Sequence, residues 1–178
     1  MLNILEGYDL GAMGHNSSAY LHVLTESMRR AYADRAEHLG DPDFNEAMPI
    51  ARLMDKDYAA KQRATIDMAK ADISDPSKFA EPYASEETTH FSVVDKDGNM
   101  VSMTYTLEYG YGSAIVVAGG GYLLNNEMGD FNAMPGVTNA RGAIGTAPNL
   151  VAPQKRMLSS MTPTIVAKDL LCRNDNTF

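Results

Sequence analysis

The side chains best placed to do chemistry in this chain are hydroxyls, and a hairpin gathers them. The stretch TTHFSVVDKDGNMVSMTYTLE, residues 88–108, is rich in Thr, Val, Phe and Tyr and is split by DKDGN, a β-hairpin signal. Lys96-Asp97-Gly98 suits a three-residue loop with glycine in the left-handed position, closed by Asp95 and Asn99. Counting outward pairs Val94 with Met100, Ser92 with Ser102, His90 with Thr104 and Thr88 with Thr106. The pleat then puts Thr88, His90, Ser92, Ser102, Thr104 and Thr106 on one face. Phe91, Val93, Val101, Met103, Tyr105 and Leu107 take the other face and are expected to supply core. Threonine is common in strands, and opposed threonines stabilise a strand pair. The pattern alone therefore favours an ordinary structural role.

Other chemistries leave no pattern. A Ser–His–Asp triad is not indicated, because no GxSxG elbow occurs. The four histidines, His15, His22, His38 and His90, lack metal-ligand spacing such as HExxH, and the single cysteine, Cys172, rules out an internal disulfide framework and a cysteine-built zinc site. No metal and no cofactor is expected. Gly119–Gly121 lack the strand–GxGxxG–helix context and read as a hairpin turn rather than a phosphate cradle.

The elements around the hairpin divide the chain. Residues 1–87 read as mainly helical. Over residues 17–38, Tyr20, Val23, Leu24, Met28, Ala31 and Tyr32 recur at a helical period, with Asn16 or Ser17 as the cap and Gly40 after the end. GDPDF, residues 40–44, predicts a loop, since Pro42 biases Asp41 away from helix. A second helix is expected over residues 50–68, with Ala51, Met54, Tyr58, Gln62 and Ile66 on its inner face. Residues 72–87, acidic and interrupted by Pro76 and Pro82, read as an exposed, extended linker. Beyond the hairpin, AIVVA (residues 114–118) and YLLNN (122–126) suggest another pair of strands. Residues 129–157 suggest a long loop of a kind uncommon unless functional, and residues 164–167 a short strand. Helices followed by strands give an α+β class rather than alternating α/β.

Composition bounds the function. The 178 residues are 44% hydrophobic and 21% charged, with a net charge of −8, as expected of one globular domain. Acidity of this kind disfavours nucleic acid, whose phosphates select clustered Lys and Arg, and a polybasic membrane anchor. No apolar run approaches the roughly 20 residues of a membrane span, and residues 1–11 show no signal-peptide pattern.

A set of ordered motifs then points to one family. TTHFSVVDKDGNMVS (88–102), TYTLE (104–108), LLNNEMGDF (123–131), PGVTN (135–139) and KRMLSSMTPTIV (155–166) closely resemble the start of the small subunit of gamma-glutamyltranspeptidases. AYADRAEHLGDPDF (31–44) resembles the end of that family's large subunit. The resemblance implies an N-terminal nucleophile hydrolase with a four-layer αββα sandwich, of which this chain carries part. Residues 1–87 would be the end of the large subunit, residues 88–169 the start of the small one and residues 170–178 an unrelated tail. It implies a precursor that cuts itself between Glu87 and Thr88 into subunits that stay associated. The freed Thr88 would attack γ-glutamyl amides such as glutathione and pass the γ-glutamyl group to water, amino acids or peptides. The new α-amino group, with a reference pKa of about 7.7–8.0, would serve as its base.

The same resemblance assigns the remaining site residues. Thr106 matches the threonine that hydrogen-bonds the nucleophile. Glu108 falls where the family contacts the substrate's α-carboxylate or α-amino end. Glu127 and Asp130 match positions that bind the α-ammonium, and Ser159 and Ser160 the pair that binds the α-carboxylate. Without that context the serine pair reads as turn chemistry and the two acids as loop charges.

Gly129 stands where many members have Asp, and Arg141 falls near an aromatic lid residue of some bacterial members. After residue 169 the chain reads LLCRNDNTF, where the family continues into a strand and a Ser-Pro-Gly-Gly loop that forms the oxyanion hole. The large-subunit arginine that clamps the substrate carboxylate is likewise outside this sequence. The expectation is a fragment straddling the subunit junction and inactive alone. The family suggests a periplasmic or secreted location. A cephalosporin or glutaryl acylase-like hydrolase is the nearest alternative, disfavoured by the groups suited to an amino-acid head. A non-catalytic gene fragment is the other.

Overall fold

The computed structural model describes residues 1–72, 88–132, 135–136 and 145–167. Residues 73–87 of the expected linker, which include Glu87, together with Arg141, residues 168–169 and the expected tail over 170–178 with Cys172, lie outside the described residues. The chain divides into two compact units, Met1–Ala84 with Met128–Leu158, and Ser85–Glu127 with Ser159–Phe178.

The first unit is helical: α1 (Leu2–Leu5), α2 (Leu10–Met13), α3 (Ser18–His38), α4 (Ile50–Met54) and α5 (Lys56–Ala64). Side-chain caps open α2, α3 and α5. The Ser17 hydroxyl accepts from the Tyr20 N–H at 3.1 Å and opens α3, as expected. GDPDF tightens into a 3-10 turn, Pro42–Phe44, capped by Asp41. The helix expected over residues 50–68 is instead two. Asp55 leaves helical geometry at φ −70°, ψ 140°, and its carboxylate accepts from the Tyr58 N–H at 2.8 Å. An aspartate that satisfies a backbone donor this way competes with helix continuation. The burial pattern shifts with the break: Ala59 is buried, whereas Ala51 and Met54 of the expected face are exposed.

Among the described residues the buried apolar ones are few: Ile4, Leu5, Val23, Ala36, Ala59 and Phe131. Of the stripe expected on α3, Val23 is buried and Met28 and Tyr32 are exposed. Polar clasps join the elements instead. Buried Glu26 accepts from Arg29 at 2.8 Å, from Arg30 at 2.6 Å and from the Asp72 N–H at 3.1 Å, while Arg30 also donates to Thr65. Burial works against the Glu26 charge, but the bonds from Arg30 and Asp72 and the charge of Arg29 prevail and lower its pKa. Asp41, also buried, receives the Arg156 N–H at 2.7 Å and that guanidinium at 2.6 Å. The Arg156 side chain and N–H hold the Asp41 carboxyl well below the usual carboxylate range.

The long segment that returns to this unit is pinned rather than loose where it is described. Asn132 pairs with Leu150 in a parallel bridge. The Asn149 side chain donates to the Asp130 carbonyl at 2.7 Å and accepts from the Leu158 N–H at 3.1 Å.

The second unit is built on the hairpin of β1 (Thr89–Val94) and β2 (Met100–Tyr105). Its register is the expected one, with His90 opposite Thr104, Ser92 opposite Ser102 and Val94 opposite Met100. Gly98 adopts φ +86°. The Asp95 carboxylate accepts from the N–H groups of Asp97 and Asn99, both at 2.9 Å, which closes the loop. The apolar face does not supply core: Phe91, Val93, Val101, Met103 and Tyr105 are between 43% and 59% exposed. Two strands alone cannot cover a face they share.

The expected second strand pair reduces to one antiparallel bridge, Val116 with Leu123, around a turn at Gly119–Gly121 as expected. Residues 164–167 form no strand. A strand is defined by its ladder partner, and none is present for them among the described residues. The helices and the two-stranded sheet make the chain α+β.

Candidate active site

The site grows from the open end of the hairpin. Thr88 and Thr106 flank the last ladder pair, Thr89 with Tyr105. The Thr88 hydroxyl donates to the Thr106 hydroxyl at 3.1 Å. The row of hydroxyls continues along the same face. His90 Nδ1 lies 2.8 Å from the Thr104 hydroxyl and Nε2 lies 3.3 Å from that of Ser92.

Thr106 also receives the Glu108 N–H at 2.9 Å. Its oxygen thus serves two donors at once, within what a hydroxyl's two lone pairs allow. Glu108 itself sits at φ +73°, uncommon for a residue with a side chain. Asn126 holds it from the side, donating from Nδ2 to Glu108 Oε2 at 2.8 Å and accepting the Tyr109 N–H at Oδ1, 3.1 Å away.

Thr88, Thr106 and Glu108 are therefore one hydrogen-bonded group. Glu127 follows directly after Asn126, and its N–H donates to the Asn125 side chain at 3.1 Å. Ser159 and Ser160 belong to the same unit and are exposed, and the Ser159 hydroxyl accepts the Met161 N–H at 3.0 Å. Asp130 belongs to the helical unit, at the end of the 3-10 turn Glu127–Asp130. Burial pushes its carboxyl up, partly offset by the charge of Arg35.

Asn126 was not among the residues singled out from sequence. The signal for it was weak: an Asn-Asn pair after an apolar run, with nothing local to show which residue it would reach. The open cleft of about 470 Å³ beside Glu37, Phe44 and Pro148 involves none of the site residues. Among the described residues no three His, Cys, Asp or Glu side chains gather as a metal-binding group.

Comparison with known proteins places the chain in a family. The family model described as Gamma-glutamyltranspeptidase matches residues 1–174. The chain belongs to the gamma-glutamyltranspeptidase family. A glutathione hydrolase proenzyme from Pseudomonas sp. (strain A14) is 50% identical over 170 residues, covering 95% of this chain and 29% of the relative. The chain thus spans under a third of that relative's length. An acylase ACY 1 proenzyme from Pseudomonas sp. (strain SE83) is 38% identical over 169 residues, covering 95% of this chain and 28% of the relative. A solved gamma-glutamyltranspeptidase from Pseudomonas nitroreducens, complexed with L-DON, is 60% identical over 46% of this chain and 42% of its own, with a TM-score of 0.42. The Pseudomonas sp. (strain A14) glutathione hydrolase proenzyme is thus nearer to this sequence than that acylase is.

Proposed function

We propose that this protein is a self-cleaving γ-glutamyltransferase and glutathione hydrolase with Thr88 as its nucleophile. The observation that supports this most is the Thr88–Thr106 hydrogen bond at the end of the hairpin. In this reading the Thr88 oxygen first attacks the carbonyl carbon of Glu87. The amide becomes an ester, and water cleaves it, leaving a Glu87 carboxylate and a free α-amino group on Thr88. That amine is then the general base that an otherwise weak threonine hydroxyl needs.

In turnover, Thr88 attacks the γ-carbonyl of a γ-glutamyl amide. Its proton passes by way of the amine to the departing nitrogen, and the C–N bond breaks. The γ-glutamyl ester is then taken by water, an amino acid or a peptide amine. Thr106 supports the nucleophile. Glu108, Glu127 and Asp130 offer negative charge to the substrate's α-ammonium, and Ser159 and Ser160 offer hydroxyl donors to its α-carboxylate. Residues 1–87 and the segment from Thr88 onward would remain associated as subunits, within the four-layer αββα sandwich of N-terminal nucleophile hydrolases.

The test is intact-mass analysis of the protein expressed from its gene, with release of p-nitroaniline from its γ-glutamyl derivative. Cleavage between Glu87 and Thr88, abolished by Thr88→Ala, is the expected result. A cut elsewhere that survives Thr88→Ala would overturn the assignment. Faster turnover of a glutaryl anilide than of the γ-glutamyl one would move the protein to the acylases.

A further inference from the structure

We propose that Asn126 is a positioning residue: it holds Glu108 so that the Glu108 carboxylate receives the α-ammonium group of a γ-glutamyl substrate. The inference rests on the reading of Glu108 as a substrate contact. Asn126 grips three consecutive residues. Its backbone N–H donates to the Leu107 carbonyl at 3.2 Å, its Nδ2 to Glu108 Oε2 at 2.8 Å, and its Oδ1 accepts the Tyr109 N–H at 3.1 Å. Only one amide orientation meets both side-chain bonds, since Nδ2 must face the carboxylate and Oδ1 the N–H.

The grip matters because of what it holds. A non-glycine residue at φ +73° persists only when its surroundings over-determine it. Here the Glu108 N–H is tied to Thr106, its carboxylate to Asn126, and the next N–H to Asn126 again. The same backbone turn thus joins the oxygen that supports Thr88 to the carboxylate that meets substrate.

The experiment compares Asn126→Ala, Glu108→Ala and the double variant in the protein expressed from its gene, assayed with γ-glutamyl-p-nitroanilide. Asn126→Ala is expected to raise KM about tenfold, the scale of one charge-assisted hydrogen bond, and to leave kcat within about threefold. If Asn126 acts through Glu108, it adds nothing further in the Glu108→Ala background. Asn126→Asp keeps the acceptor for the Tyr109 N–H but sets a carboxylate against Glu108, so its KM rises at least as far. This variant decides the matter if the alanine variant fails to fold.

An unchanged KM in Asn126→Asp, or losses that multiply in the double variant, overturns this inference and leaves the function standing. Absence of Thr88-dependent γ-glutamyl release in the parent protein overturns the function itself, and the inference with it.

Discussion

Replacing Thr106 by valine tests the link between hairpin register and chemistry. Valine matches threonine in shape and strand preference, so β2 and its ladder should survive. What is lost is one oxygen and its two bonds, the one from the Thr88 hydroxyl at 3.1 Å and the one from the Glu108 N–H at 2.9 Å. Hydrogen bonds of this kind contribute about 0.5–1.5 kcal/mol each. Thr88 is exposed and Thr106 partly so, which places the pair near the lower half, roughly 1–2 kcal/mol together. If that energy orients Thr88 for attack, Thr106→Val slows both self-cleavage and turnover about 5- to 30-fold. Thr106→Ser, which keeps the oxygen, should stay within a few-fold of the parent. Intact-mass time courses read the first reaction and nitroaniline release the second. Thr106→Val cleaving and turning over at the parent rate would refute the argument, because the hydroxyl contact would then have no role in the attack.

Glu26→Gln removes the charge that holds Arg29 and Arg30, whose side chains are 21% and 10% exposed. Breaking a buried pair costs about 3 kcal/mol at the low end, so thermal denaturation should shift down by roughly 6–12 °C; an unshifted midpoint counts against the clasp. Acid should weaken the helical unit in the same place. Glu26 and Asp41 both sit below their ordinary values of 4.5 and 3.8. As pH falls through that range the unfolded chain binds protons that the folded one does not, so stability, full above about pH 5, declines below it. Denaturant midpoints measured from pH 6 to pH 3 that stay flat would contradict this. Gly98→Ala forces a side chain into φ +86° and should destabilise the hairpin by about 1 kcal/mol. Amide exchange on β1 and β2 reads this directly, and unchanged protection would refute it.

The Thr88–Thr106 pair was legible because its determinants are local, whereas Glu108, Glu127, Asp130, Ser159 and Ser160 were named only through the family resemblance. DKDGN specifies its own loop, and a period of two then allows only one sorting of side chains, so Thr88 and Thr106 could be paired by counting. Ser17 likewise announces the start of α3, since a cap reaches only a few residues along the chain. Asp55 carries the same kind of signal, but the apolar spacing across it pointed to a continuous helix. What counting could not reach are contacts made by folding. Asp41 and Arg156 lie 115 residues apart, and nothing near either names the other. Glu26 reads as a surface charge until Arg29, Arg30 and Asp72 surround it. Asn126 reads as a loop amide until it meets Glu108, 18 residues away. Residues 164–167 have strand composition but no neighbour to pair with, and the apolar face of the hairpin is set by the pleat, while its covering is not. Sequence by itself determined the start of α3, the turn and the register, where bonding partners are a few residues apart. Only tertiary structure decided which charges are buried and which amide grips the site, because those partners are brought together by packing and leave no periodic trace in the chain.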